Sequence, residues 1–292
     1  MGCFNKTEVL DTSLQLLNLV TAIPIFFFGI LCNALALWVF CCKVKTRTDT
    51  TVYMINLIIS DIMVLLTFPF RMYAYMHSWD LGSETCKALL TLYYINRYMS
   101  IFIITAIAFD RYIAIRHPLK FKHWRSPLKA TIVCSVLWSV LTAIGVITVL
   151  QSKGYTLSTC FQKVTTEPLN LALVFVVVGF GIPLILLSYF SGHVLIILCS
   201  KETSEVSERR TIRKAMNIII SNLVVFVICF LPIHVGYTIR FVTDSLNSSC
   251  LMRERVNVYI HVATLLANSN CVLDSVCYFF VASEFWESMF AE

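Results

Sequence analysis

Residues 86–112 read CKALLTLYYINRYMSIFIITAIAFDRY, an apolar run that opens on Cys86, carries Asn96, Arg97 and Ser100 inside it, and ends in Asp110-Arg111-Tyr112 at the start of a basic loop. A bilayer crossing needs roughly 20 apolar residues at ~1.5 Å rise each, and this run is long enough. It lacks the apolar/polar alternation of a barrel strand. Charge within hydrocarbon is expensive and is usually turned toward a protein interior, so the run reads as one helix of a larger membrane bundle.

The rest of the chain supplies that bundle. Further apolar stretches place the predicted spans at approximately 16–42, 50–76, 86–110, 128–150, 169–199, 215–242 and 256–281. Composition agrees: 58% of residues are hydrophobic and 14% charged, against ~45–50% apolar in a soluble domain. The expected fold is all-α, a single seven-transmembrane helix bundle over residues 1–292. A short amphipathic C-terminal helix is expected at about 282–290, with Phe279, Phe280, Phe285, Trp286 and Phe290 on its apolar side; a fraying tail is the competing reading. No internal repeat, low-complexity tract or second domain is visible.

Lys and Arg crowd the loops after the first, third and fifth spans: Lys43, Lys45 and Arg47, then Arg116, Lys120, Lys122, Arg125 and Lys129, then Lys201, Arg209, Arg210, Arg213 and Lys214. The positive-inside rule makes those loops cytosolic and the N-terminus extracellular. The formal charge of +6 is therefore mainly a topology signal, not a mark of nucleic-acid binding. Glycosylation acceptors at Asn5 and Asn247 both fall on the outer side. The first apolar run begins late and has no basic flank before it, so no cleavable signal peptide is read. Lys6 occupies the position where a myristoylation motif wants Ser or Thr.

Of the twelve cysteines, Cys3, Cys86, Cys160 and Cys250 lie on the oxidising side, and four cysteines allow three pairings. Cys86 with Cys160 would tie the loop after span four to the start of span three, leaving Cys3 and Cys250 to join the N-terminus to the last outer loop. The other eight read as small packing residues, with no convincing zinc-ligand spacing.

In order along the chain stand Asn33, Asn56-Leu57 with Asp61, Cys86, Asp110-Arg111-Tyr112, Trp138, Pro183, Cys229-Phe230-Leu231-Pro232 and Asp274-Ser275-Val276-Cys277-Tyr278. This series resembles the rhodopsin-like, class A G-protein-coupled receptors over nearly the whole chain. Leu35-Ala36-Leu37-Trp38-Val39-Phe40-Cys41-Cys42, Asn96-Arg97-Tyr98-Met99-Ser100 and Asn270-Cys271-Val272-Leu273-Asp274 look most like the lipid and small-acid branch that includes receptors 35 and 55. Departures are present too: Phe230 replaces the usual span-six Trp, Asp274 an Asn, Ser275 a Pro, and Ser191 stands where many members have Tyr.

The resemblance implies a plasma-membrane receptor that activates heterotrimeric G proteins, of the Gi/o or G12/13 class, with arrestin as a further partner. Coupling and switching would fall to Asp110, Arg111, Tyr112, Pro118, Phe226, Phe230, Pro232 and Tyr278. Asp61, Ser100 and Asp274 would come together, with Asn96 and Asn270 adding neutral oxygens. Two carboxylates in a dry site need a cation or a retained proton, so an allosteric sodium ion is expected there, with a protonated, water-linked pair as the alternative. No other cofactor is expected.

Arg97 lies ~16 Å into span three beyond Cys86, with Tyr93 on its face and Tyr94 its i,i+3 neighbour. Arg71 and Arg240, at the outer ends of spans two and six, are expected to converge on the same mouth, with His234 deeper. Lys153, Lys163 and Arg255 extend an attractive rim that also takes in Lys87 and Arg253. Guanidinium groups bind carboxylate or phosphate through paired hydrogen bonds, so an organic acid or a lysophospholipid head group is the expected agonist. A peptide or nucleotide is the alternative. Arg97 pairing with Asp61 or Asp274 is the competing structural reading, and Arg71 and Arg240 can simply snorkel.

Other membrane functions fit less well. Span seven has no Lys for a retinal Schiff base. An intramembrane aspartyl protease using Asp61 and Asp274 is a remote alternative, because Cys271-Val272-Leu273 precedes Asp274 where known versions carry Gly-x-Gly. Repeats of the transporter kind are not seen. The chain is read as a receptor and not an enzyme.

Overall fold

The computed structural model describes residues 12–42, 48–117, 126–151, 160–161, 170–201 and 206–275. Within them, seven helices are long and apolar enough to cross a membrane: Leu14–Cys42, Asp49–Met76, Ser83–Arg116, Pro127–Thr148, Leu171–Cys199, Ala215–Ser245 and Cys250–Ser275. They are spans one to seven. The described residues contain no strand. The expected C-terminal helix, with Tyr278, lies outside the described residues, as do Asn5, Pro118, Lys153 and Lys163.

Several helices outlast their apolar runs. Span three continues to Arg116, so Asp110-Arg111-Tyr112 lies inside the helix and not at its end. The helix of span seven begins at Cys250, well before the Val256 expected from hydropathy. Hydropathy locates the edge of the hydrocarbon, whereas a helix runs on as long as its backbone groups find partners.

Two interruptions shape the interior. Span two consists of Asp49–Leu65 and Phe68–Met76. At the break, the Thr67 hydroxyl donates to the Val64 carbonyl at 2.6 Å, and Pro69 occupies the first turn of the second segment, where its missing N–H costs little. That segment buries Phe68, Arg71 and Tyr75 on one face. In span five, a π-helical turn over Phe175–Gly181 precedes Pro183. A proline ring crowds the carbonyl four residues back, and the wider turn relieves this, with the Ile182 N–H reaching the Val177 carbonyl. A Cβ at Gly179 in this turn would stand 2.7 Å from the Tyr98 ring, so the close approach of spans three and five there requires glycine.

Span three is the axis, packing on spans two, four, five and six. Leu57, Ile58, Met99, Ile101, Ile103, Leu187, Phe226 and Phe230 form the fully buried core between them. The exposed faces are apolar as well, among them Phe27 and Phe28 of span one, Ile132 and Val136 of span four, and Ile185 and Ile196 of span five. That distribution suits a lipid surrounding, where exposed side chains face hydrocarbon. Side-chain amides fasten the spans. Asn33 Nδ2 donates to the Gly29 and Cys271 carbonyls, both at 2.9 Å, and Trp138 Nε1 donates to Asn56 Oδ1 at 3.2 Å. Cys86 and Cys160 form a disulfide with Cα atoms 5.7 Å apart. Cys250 is also disulfide-bonded; Cys3, its expected partner, lies outside the described residues.

Candidate functional site

Tyr93, Asn96, Arg97 and Ser100 follow one another at helical spacing along span three and all are buried. They divide into two polar layers. In the layer nearer the Cys86 end, the Arg97 guanidinium donates through Nη1 to the Tyr237 hydroxyl at 2.6 Å and through Nη2 to the Tyr93 hydroxyl. Arg71 Nε donates to the Tyr75 hydroxyl at 2.9 Å. Asn268 completes the layer: its carboxamide oxygen accepts from Arg71 Nη1 at 3.1 Å, and its nitrogen donates to the Tyr93 hydroxyl at 3.1 Å and the Thr264 carbonyl at 3.3 Å. The opposite amide orientation would turn its nitrogen toward the Arg71 donor.

The Tyr93 ring joins the two cations. The guanidinium carbon of Arg97 stands 4.6 Å from its centroid and that of Arg71 4.9 Å, and Arg71 also lies 5.5 Å from the Phe161 ring. At a separation of at most ~10 Å, two such charges repel by at least about 1.7 kcal/mol at an effective dielectric of ~20. Phenol oxygens and ring faces offset part of this. Neither arginine forms an ion pair with a carboxylate among the described residues, so the structural pairing of Arg97 with Asp61 or Asp274 is not what holds it.

The second layer lies deeper and is acidic. Asn96 Nδ2 donates to Ser60 Oγ at 3.1 Å and Asp61 Oδ1 at 3.2 Å, and Asn270 Nδ2 donates to Asp274 Oδ2 at 2.7 Å. Asp61 Oδ2, Ser100 Oγ and Asn270 Oδ1 are buried without a hydrogen-bond partner among the described residues. A set of carboxylate, hydroxyl and carboxamide oxygens fits a hard monovalent or divalent cation by donor chemistry. A cavity of about 10 Å³ separates the layers, lined by Tyr93, Asn96, Arg97, Phe230, Asn268 and Asn270 among others. Such a volume accommodates about one water molecule.

The other expected site residues have different surroundings. Tyr94 is 42% exposed and meets Tyr93 only edge-on, at 6.0 Å between centroids. His234 belongs to an aromatic core below the cationic layer: its ring stacks on Phe180 at 4.2 Å, and its Nδ1 donates to the Phe230 carbonyl at 2.7 Å. Nε2 then accepts from the Tyr98 hydroxyl, at 3.4 Å. Phe226 packs edge-on against Phe230 and flat against Phe180. Arg240 does not converge with Arg71 and Arg97. Its Nε donates to Asp244 Oδ2 at 2.9 Å and its Nη1 to Asn257, while Arg253 lies 3.5 Å from the other Asp244 oxygen. Arg255 is exposed at the start of span seven. Lys87 pairs with Glu84 at 2.9 Å. Asn247 is exposed in a turn, as a glycan acceptor must be. Tyr237, Asn268, Tyr75 and Phe161 were not anticipated; in the layer, Tyr237 and Asn268 complete what Arg97 and Arg71 begin.

At the opposite end, Asp110, Arg111 and Tyr112 are half-buried. Tyr112 packs among Tyr189, Phe190 and His193 of span five. This end of span three, the asparagine-fastened bundle and the prolines inside spans five and six form one pattern, and a family model described as the 7 transmembrane receptor of the rhodopsin family matches residues 32–278. The chain belongs to the rhodopsin family of receptors. It is 37% identical to human G-protein coupled receptor 35 over 89% of this chain and 82% of that protein. It is 32% identical to bovine lysophosphatidic acid receptor 5 over 92% and 77%, and 32% identical to mouse G-protein coupled receptor 55 over 97% and 90%. This rhodopsin-family chain is thus a multi-pass membrane receptor and not an enzyme. G-protein coupling and a small-molecule or lipid agonist come with the family.

Proposed function

We propose that this receptor binds an anionic agonist, an organic acid or a lysophospholipid, on the outer side and activates a heterotrimeric G protein of the Gi/o or G12/13 class inside the cell. One observation carries the ligand class: two buried guanidinium groups, Arg71 and Arg97, share the Tyr93 ring and have only neutral partners among the described residues. Buried charge without a counter-charge is costly, and an anion entering between them supplies that counter-charge through paired hydrogen bonds. Tyr93 and Tyr237 offer aromatic faces for the rest of the ligand. The name of the lysophosphatidic acid receptor relatives, which refers to an anionic lipid, points the same way.

The proposed orientation places the N-terminus outside, following the basic loops after spans one, three and five. Arg111 then faces the cytosol, where the G protein and arrestin bind. An ion at Asp61, Ser100, Asp274, Asn96 and Asn270 would be sodium, holding the inactive arrangement; bound there it supplies positive charge between carboxylates and does no chemistry. The test is a G-protein activation panel run with anionic metabolites, lysophospholipids and cationic amines. Activation by acids and silence with amines is the expected result; an amine as the best agonist overturns the ligand class.

A further inference from the structure

The seven free cysteines among the described residues sort by depth. Cys134, Cys229 and Cys271 are buried and Cys32 is partly so, as packing residues should be. Cys41, Cys42 and Cys199 are exposed. All three exposed thiols stand at the last turn of a span, and each of those turns lies at the end of the bundle that carries Arg111.

The vicinal pair is the better presented. The buried face of span one carries Asn33, Ala36 and Phe40, while its exposed face runs Phe28, Leu31, Leu35 and Trp38 at helical spacing. Cys41 and Cys42 are the next step of that lipid-facing stripe. The membrane-length apolar helix Leu14–Cys42 ends on Cys42, so the pair stands where the span leaves the hydrocarbon. Lys43, Lys45 and Arg47 follow at once, and basic residues beside a span hold that segment against anionic head groups. Two thiols are thus aimed at the acyl-chain boundary on the reducing side, where disulfides are not kept.

We infer that Cys41 and Cys42 are sites of reversible S-acylation by long-chain fatty acid. The thiolate attacks the carbonyl carbon of a long-chain acyl thioester such as acyl-coenzyme A, a new C–S bond forms as the old one breaks, and the displaced thiolate takes up the proton the cysteine gave away. No redox change is involved, and cellular membrane acyltransferases carry out the transfer. The attached chain lies along the Leu35–Trp38 stripe and pins the inner end of span one and the basic segment behind it to the inner leaflet.

The inference rests on the proposed orientation, and the experiment separates the two. The full chain, with an epitope at its N-terminus, is expressed in mammalian cells fed an alkyne analogue of palmitate. Label per receptor is then read before and after neutral hydroxylamine, which cleaves thioesters. The wild type should carry hydroxylamine-labile label, and C41S/C42S should lose most of it at unchanged surface staining. Mass spectrometry of the wild-type peptide containing Cys41 and Cys42 should show the acyl mass, so a poorly expressed variant does not decide the matter. An unlabelled wild type, or full label on C41S/C42S, overturns the acylation. Epitope staining of intact cells reads the orientation independently: an outer N-terminus without label leaves the orientation standing and removes the acylation, and an inner N-terminus overturns both.

Discussion

Arg97 and Arg240 are equally hidden, 3% and 4% exposed, and both reach across to a neighbouring span, yet one sits among phenols and the other against a carboxylate. Arg240 and Arg253 share Asp244, which ties the C-terminal end of span six to the start of span seven. Arg97 and Arg71 share the Tyr93 ring, and among the described residues their hydrogen-bond partners are hydroxyls and a carboxamide. Burial alone therefore does not mark a ligand arginine. The distinguishing property is whether the chain itself supplies the counter-charge. Where it does, the arginine is a clamp whose loss weakens the fold; where no carboxylate among the described residues meets it, as at Arg97 and Arg71, the proposed function assigns the counter-charge to an anion from outside.

The largest effect that would sharpen this contrast is expected at Arg97. A hydrogen bond to a charged group contributes ~1.5–3 kcal/mol, and a paired set to a carboxylate or phosphate makes two. Arg97→Ala should lower the potency of acidic agonists about 100-fold or more, each ~1.4 kcal/mol being tenfold. Arg97→Lys should recover little of it, since an ammonium cannot form the fork. Arg71, with its cation already spread over Tyr75, Tyr93 and Phe161, should matter less: Arg71→Ala costs about tenfold, one charged hydrogen bond. Potency for every acid unchanged in both variants would erase the contrast.

Asp244→Asn tests the other side. Removing one member of a buried ion pair costs ~3–5 kcal/mol, so thermal stability of the detergent-solubilised receptor and its surface level should fall. Acid potency of the receptors that do reach the surface should stay within about threefold of wild type, well under one charged hydrogen bond. A loss of potency as large as that of Arg97→Ala, at normal stability, would put Arg240 back in the ligand site.

The seven spans were legible because hydrocarbon imposes a length and a composition that nothing else in the chain imitates. Arg97, Asp61 and Asp274 were legible for a related reason, since charge in an apolar run needs an explanation. Tyr237 and Asn268 were not, because a phenol or an amide in a span is ordinary by itself. Spacing held a signal all the same: Tyr237 lies one turn from His234, and Asn268 lies just before the Asn270 that was singled out. The pairing of Arg240 with Asp244 was legible as well, since Asp244 follows it at i+4, the spacing of a helical ion pair. The π-helical turn before Pro183 and the helix ends beyond the apolar runs were not legible, because both depend on where backbone groups find partners in three dimensions.

The smallest expected effect extends the comparison to the acidic layer beneath Arg97, which is the mirror case: Asp61 Oδ2, Ser100 Oγ and Asn270 Oδ1 are buried acceptors without a hydrogen-bond partner among the described residues, and the proposed function assigns them a sodium ion as it assigns the two arginines above an anion. Only a cavity of about 10 Å³ separates them, so rearranging Asn96 or Asn270 on agonist binding disturbs the oxygens that would hold sodium. By linkage, an ion and an agonist that prefer different arrangements lower each other's affinity equally. Replacing N-methylglucamine by sodium at constant ionic strength should weaken agonist binding roughly fivefold, the low end of ordinary coupling. Asp61→Asn should flatten that dependence, and Ser100→Ala should shift it to higher sodium. If the two carboxyls instead share a proton and a water, agonist affinity will ignore sodium in the wild type and in Asp61→Asn alike, and the mirror relation between the layers fails.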